Sequence, residues 1–388
     1  MKRPDEKYIA LTLISLAWLI IFSGRLIGPT LLVQIEAALD ISHAQAGVAL
    51  SASWFFYGIM QYPGGTLSDS FGRKKIIILA ITLFATASIL IGFTMNYIML
   101  LVTFAFLGLG AGVLAAPSLT MIAELFGPEK GKALGIRSAS GSLSGLIPMA
   151  LPIAAVIIGW RNIFFLWGVM AFVSGYIFYI FVTESLKEPK KDSIINRFKI
   201  GLTSFKEKDT VFLFIVNLII SFAWIGMLSW FPTYIQETKG FGAETAGILF
   251  SIVLLGGILL KPIIGHLSDS FNKLWIMLGL TISASLALFL LTMTYSFYAL
   301  VGVSFMVAQT SAFYPVRTSF LMENWYSETA GTKFGVFRSG IILLGSPISA
   351  FIGWSASRYG FDLSILLVSA ALFLASILII IKIIAERF

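Results

Sequence analysis

The chain has 388 residues, of which 58% are hydrophobic and 12% charged; its net charge is +8 and it contains no cysteine. A soluble domain carries about twice that charged fraction, so a water-soluble globular class is excluded. Disulfides and thiolate metal sites are excluded with it. The surplus Lys and Arg sit in short polar segments rather than on one folded face, which gives no basis for binding nucleic acid.

The apolar residues come in runs of about 20, roughly one bilayer span each. Twelve such runs occur in chain order: 8–35, 45–66, 76–95, 97–123, 133–158, 163–182, 211–235, 245–266, 274–294, 297–322, 333–355 and 363–383. They are too long and too uniformly apolar for alternating barrel strands, so the predicted class is an all-α integral membrane protein with twelve transmembrane helices. The first run is too long for a cleaved leader and has no small-residue cleavage site after it. The one long polar stretch separates six runs from six. This predicts an N-terminal six-helix bundle over 1–183, a linker over 184–210 and a C-terminal six-helix bundle over 211–388. Within the linker, Ile194 to Phe205 has amphipathic spacing that suits the inner membrane surface, and a solvated linker suits it equally.

Basic residues mark one side. Lys2, Arg3, Lys7, Arg73, Lys74, Lys75, Lys130, Lys132 and the Lys and Arg between Lys187 and Lys208 all fall between runs on the side of the N-terminus, whereas Arg161, Lys239 and Arg358 fall on the other. The positive-inside rule therefore places both termini in the cytoplasm of a multi-pass plasma-membrane protein. The excess charge is a topology signal and an attraction to anionic lipid.

The two halves are related. Gly65-Thr66-Leu67-Ser68-Asp69-Ser70-Phe71 recurs 200 residues later as Gly265-His266-Leu267-Ser268-Asp269-Ser270-Phe271. The same offset pairs Ala46-Gly47 with Ala246-Gly247, Ser51 with Ser251, and Gly131 and Gly135 with Gly331 and Gly335. The bundles are thus expected to be pseudo-symmetric, and duplicated helical bundles usually move solutes.

A 6+6 repeat with Gly-x-Leu-Ser-Asp-x-x-Gly-Arg-Lys-Lys over Gly65 to Lys75 resembles the major facilitator superfamily, across essentially the whole chain. Gly159-Trp160-Arg161 and the segment 127–132 also resemble family patterns. In the second copy Asn272 replaces Gly72 and only Lys273 remains of the basic run. The resemblance implies a transporter that works by alternating access, generally as a monomer. It also assigns Asp69, Arg73, Glu124, Asp269, Lys273 and Glu323 to a cytoplasmic gate.

A charge at mid-bilayer is costly and marks a functional candidate. The spans hold three such basic residues by this reading and no acid, which suits an anionic solute. Arg25 lies about one turn beyond the middle of the first run, flanked by Gly24, Gly28 and Pro29, which are expected to loosen the helix. An arginine here resembles the anion:cation symporter branch, although Gly24 stands where those members have an acid. Lys261, in Lys-Pro-Ile-Ile-Gly, is similar to the Arg-Pro-x-x-Gly segment of monocarboxylate transporters and oxalate/formate exchangers; it either binds the solute or snorkels to the cytoplasm. Arg317 is either a third anion contact or a partner of Glu323. Arg137 and Arg338 lie near the cytoplasmic ends and read as interface anchors. Tyr57, Gln61, Asn217, Trp224, Gln309 and Tyr314 complete a candidate pocket, in which the resembled fold uses runs 1, 4, 7 and 10.

Phe104 stands where many proton-coupled relatives carry arginine, and no acid or histidine is placed mid-membrane, so coupling through a protein carboxylate is not expected. His43 and His266 fall at run ends, and no metal or cofactor is implied. No nucleotide loop and no convergent nucleophile and base are present, so neither a pump nor an enzyme is indicated. The reading is a secondary transporter of a small organic anion such as a mono- or dicarboxylate. The alternatives are a drug or lipophilic-solute exporter and a membrane sensor.

Overall fold

The computed structural model describes residues 4–185, 194–325 and 330–386, and all the regular structure among them is helical. Run 1 folds as α1 (Pro4–Thr30) and a short α2 (Leu32–Leu39). Runs 2 to 4 become α3 (His43–Phe71), α4 (Arg73–Gly92) and α5 (Tyr97–Phe126). Run 5 is split into α6 (Lys130–Leu143) and α7 (Ile147–Ile158), and run 6 is α8 (Trp160–Phe181). The linker contributes α9 (Ile194–Leu202). Then follow α10 (Lys208–Glu237), α11 (Ala243–Ser270) and α12 (Lys273–Met293). Run 10 is split into α13 (Phe297–Ala308) and α14 (Phe313–Asn324), and run 11 into α15 (Ala330–Gly345) and α16 (Ile348–Tyr359). The chain closes with α17 (Phe361–Ala385).

Ten stretches among the described residues are long and apolar enough to cross a membrane. One of them, Tyr97–Ile158, holds both α5 and α6–α7, with a turn at Gly127 (φ 50°) between them. The 29-residue α3 is not among the ten, because Ser51, Ser53, Gln61, Ser68 and Asp69 lower its hydropathy.

Local signals set the boundaries. Ser42 and Gln45 form a reciprocal capping box at the start of α3, and Asn96 accepts from the Met99 N–H at the start of α5. Asp40 ends α2 in the left-handed region. Pro148 and Pro347 sit at the breaks in runs 5 and 11, at matching places in the repeat. Gly24 and Gly28 do not loosen α1, contrary to the expectation: the helix runs on through both to Thr30. They instead make room for neighbours. A Cβ on Gly24 would stand 2.5 Å from the ring of Phe84, and one on Gly28 2.9 Å from that of Phe104. Phe104 is thus a packing residue against α1.

Elements α1 to α8 pack chiefly among themselves, with α5 between α3 and α4, and α8 against α4 and α1. In the second group α17 lies along α12, and α11 along α13. The groups meet along two long seams, α3 against α15 and α16, and α11 against α7. The first seam is tight near His43. Gly47 lies so close to α16 that a Cβ would stand 2.6 Å from the Ser349 carbonyl oxygen. Ser51 Oγ donates to Ser346 O (2.8 Å) and accepts from Ala350 N (2.8 Å), and Ser357 Oγ accepts from Ala44 N (3.2 Å). The linker helix α9 lies on α15, with Phe198 5.7 Å from the Tyr62 ring. Lys2, Arg3 and Lys187 lie outside the described residues.

Candidate functional site

Between the groups lies a cavity lined by α1, α3, α10, α11, α14 and α15. It has two adjoining lobes of about 180 and 220 Å³ that share Phe22, Ser221, Trp224, Tyr314, Arg317 and Ile341. The first lobe adds Arg25, Trp54, Tyr57 and Arg338; the second adds Asn217 and Lys261. Among the described residues no Asp or Glu lines either lobe.

Each cation is held by groups that leave its charge uncancelled. The Arg25 guanidinium lies between two rings, 3.8 Å from the Tyr57 centroid and 4.2 Å from that of Trp54. Cation–π contact steadies such a group without neutralising it. Arg317 stacks 4.6 Å from the Tyr314 ring and donates from Nη1 to Asn217 Oδ1 at 3.0 Å. Arg338 lines the same lobe as Arg25 and Tyr57. Lys261 enters the second lobe from α11 without an ion-pair partner among the described residues.

Four buried donor atoms here have no hydrogen-bond partner among the described residues: Arg25 Nε, Arg317 Nε, Asn217 Nδ2 and, one turn after Tyr57, Gln61 Nε2. Native interiors rarely leave donors unpaired, and each one costs about 1–3 kcal/mol. All four are donors and none is an acceptor.

The structure brings together Arg25, Lys261, Arg317, Tyr57, Asn217, Trp224 and Tyr314. Gln61 is buried one turn after Tyr57 on α3 and lines neither lobe. Gln309 is a correction: its Oε1 accepts from Ser283 Oγ at 2.6 Å, which turns it toward α12, away from the cavity. The pairing of Arg317 with Glu323 is not made; Glu323 accepts from Lys273 Nζ instead (2.7 Å). Arg338 corrects the reading of an end anchor. The chain is already helical at Ala330, three residues before the predicted run, and Arg338 lies eight residues, about 12 Å of rise, beyond that point. Arg137 is buried off the cavity, stacked 3.7 Å from the Trp18 ring and bonded to Ser118 Oγ (2.8 Å). Trp54, Phe22 and Ser221 were missed, since aromatic and serine residues in an apolar run carry no signal of which face they occupy.

The residues assigned to a gate pair within each group. Arg73 pairs with Asp69 one turn earlier, donates to Ser68 Oγ (2.6 Å) and reaches Glu124 Oε1 at 3.0 Å. Glu184, after α8, accepts from the N–H groups of Arg73 and Lys74 and so caps α4. Gly72 there has φ 105°, which favours glycine. In the second copy Asn272 has φ −59° and caps its own helix by accepting from Leu274 N, so the loss of the glycine is accounted for. Asp269 is exposed.

The family model described as Major Facilitator Superfamily matches residues 13–350. The chain is 25% identical to the probable sulfoacetate transporter SauU of Cupriavidus necator, over 96% of this chain and 92% of that protein. It is 25% identical to the hexuronate transporter of Bacillus subtilis, over 71% of this chain and 67% of that one. In fold it is similar to a bacterial homologue of the human lysosomal transporter Spinster, with a TM-score of 0.81, 17% identity and coverage of 98% and 97%.

Proposed function

The chain belongs to the Major Facilitator Superfamily, and from that premise we propose that it is a secondary transporter of a small organic anion, worked by alternating access. The single observation that carries this reading is the composition of the cavity: Arg25, Arg317, Arg338 and Lys261 around one space, with unpaired donors and no carboxylate. An anion offsets the desolvation of those cations, whereas a neutral or cationic solute leaves it uncompensated. A solute with two anionic groups, such as a dicarboxylate, balances more of that charge than a monocarboxylate. That one relative is named for sulfoacetate and another for hexuronate supports the class. The twelve runs are read as spans, in two six-helix bundles, 1–183 and 211–388, joined by a linker over 184–210. The basic end faces the cytoplasm of the plasma membrane, and the protein acts as a monomer.

Ligand binding to the folded state raises its melting temperature. Purified protein is to be melted against mono- and dicarboxylates, sulfonates, phosphate esters, sugars and lipophilic cations, alongside Arg25→Gln. We expect stabilisation by one anion class that is lost in the variant. Stabilisation by cations or neutral compounds, or an anion shift that survives in Arg25→Gln, overturns the reading in favour of an exporter of lipophilic solutes, for which the aromatic lining would serve.

A further inference from the structure

Three titratable groups meet at the end of the seam opposite the basic segments. His43 begins α3, Glu36 comes from α2 and Glu237 ends α10. His43 Nδ1 lies 3.0 Å from Glu36 Oε2, and Nε2 lies 2.9 Å from Glu237 Oε2. Glu36 and His43 belong to the first group of helices and Glu237 to the second, so the imidazole ties one group to the other. The ring also packs on Trp230 and Phe361 of the second group, at 5.8 and 5.1 Å. Glu36 is only 7% exposed.

The neighbouring charges are engaged elsewhere. From α17, Asp362 accepts from the Tyr234 hydroxyl (2.6 Å) and faces Lys239 (3.9 Å), while Lys239 also donates to Thr292 O (2.7 Å). From α16, Ser357 bonds the Ala44 backbone and Arg358 is exposed. A neutral imidazole donates from one nitrogen only. Carboxylates on both nitrogens therefore select the imidazolium. A divalent cation would use one ring nitrogen and break the other pair, so a proton fits this arrangement better than a metal does.

We propose that Glu36, His43 and Glu237 form a proton site linked to this end of the molecule: closure binds a proton at His43 and opening releases it. The proposal rests on the alternating-access part of the reading above and not on the solute. In the closed form the two carboxylates hold His43 up at about 10. Opened to water, the ring returns to about 6.5. Below about 6.5 both forms carry the proton, and His43 contributes its full support to closure. As pH rises toward 10 the open form sheds the proton first, so closure weakens by about tenfold per pH unit within that window. Burial raises Glu36 as well, which acts in the same direction at lower pH.

The chain has no cysteine, so spin labels can be placed at will. Met95→Cys and Tyr298→Cys are exposed, one in each group at this end. Label-to-label distances in lipid nanodiscs are to be measured from pH 5 to 10. We expect a long-distance population that grows between pH 6.5 and 10, loses that dependence in His43→Gln, and has its midpoint moved to lower pH in Glu237→Gln, which keeps a hydrogen-bond acceptor. A long-distance population that ignores pH, or that responds equally in both variants, overturns the proton site and leaves alternating access standing. One short distance at every pH, with and without solute, overturns both.

Discussion

At the residue scale, Arg25 shows what an arginine does when no acid accompanies it. Flanked by the rings of Trp54 and Tyr57, it keeps its charge, its position and an unpaired Nε. Stacking between two rings needs the planar guanidinium, which an ammonium does not reproduce. Arg25→Lys is therefore expected to weaken anion binding about tenfold by titration calorimetry, less than the loss in Arg25→Gln. Asn217 orients Arg317 through a single bond. Removing it in Asn217→Leu costs a hydrogen bond to a charged group, about 1.5–3 kcal/mol, or roughly tenfold or more in affinity. An unchanged Kd in Asn217→Leu would show that Arg317 does not meet the solute. Arg25, Lys261 and Arg317 were legible in the sequence because a charge in an apolar run is rare. Arg338 was equally visible but misplaced, because the chain is already helical at Ala330 while Gly331 and Thr332 interrupt the apolar run before Lys333.

At the scale of elements, the helices were legible and their breaks only partly so. Apolar length marked each run, but the interruptions at residues 144–146 and 309–312 are single tighter turns too short to divide a run. The latter interruption matters to the site, because Thr310 and Ser311 within it line the second lobe. Close packing of α5 on α3 depends on small residues. A Cβ on Gly112 would stand 2.6 Å from the Tyr57 carbonyl oxygen, on the helix that carries both rings around Arg25. Gly112→Val is expected to lose about 1–3 kcal/mol of stability through overpacking. It should also weaken anion binding by shifting Tyr57; thermal unfolding and calorimetry on the same preparation check both.

At the scale of the molecule, the two groups touch most closely where Ser51, Ser346 and Ala350 bond and where Gly47 and Gly353 abut the opposite backbone. The ion pairs of Arg73 and Lys273 stay inside their own groups. This end therefore has to part if the cavity is to open to that side. Cysteines at Ala44 and Ser357, whose backbone and side chain are 3.2 Å apart, should join through a short thiol crosslinker and abolish solute uptake into vesicles, with recovery when a cleavable linker is cut. Uptake that persists in the fully crosslinked protein would rule out parting along this seam.

Composition and repeat by themselves determined the class: a chain this apolar must span a membrane as helices, and the copies of Gly65–Phe71 at 265–271 tie its halves together. They also led to the reading that the spans hold cations and no acid. Only the tertiary structure decided which cations share a space. Facing depends on helix rotation and on the partner across the seam, and neither is written in a uniformly apolar run. For the same reason the His43 cluster could not be read in advance: Glu36 and His43 are seven residues apart, but Glu237 comes to the ring only when the two groups of helices close on each other.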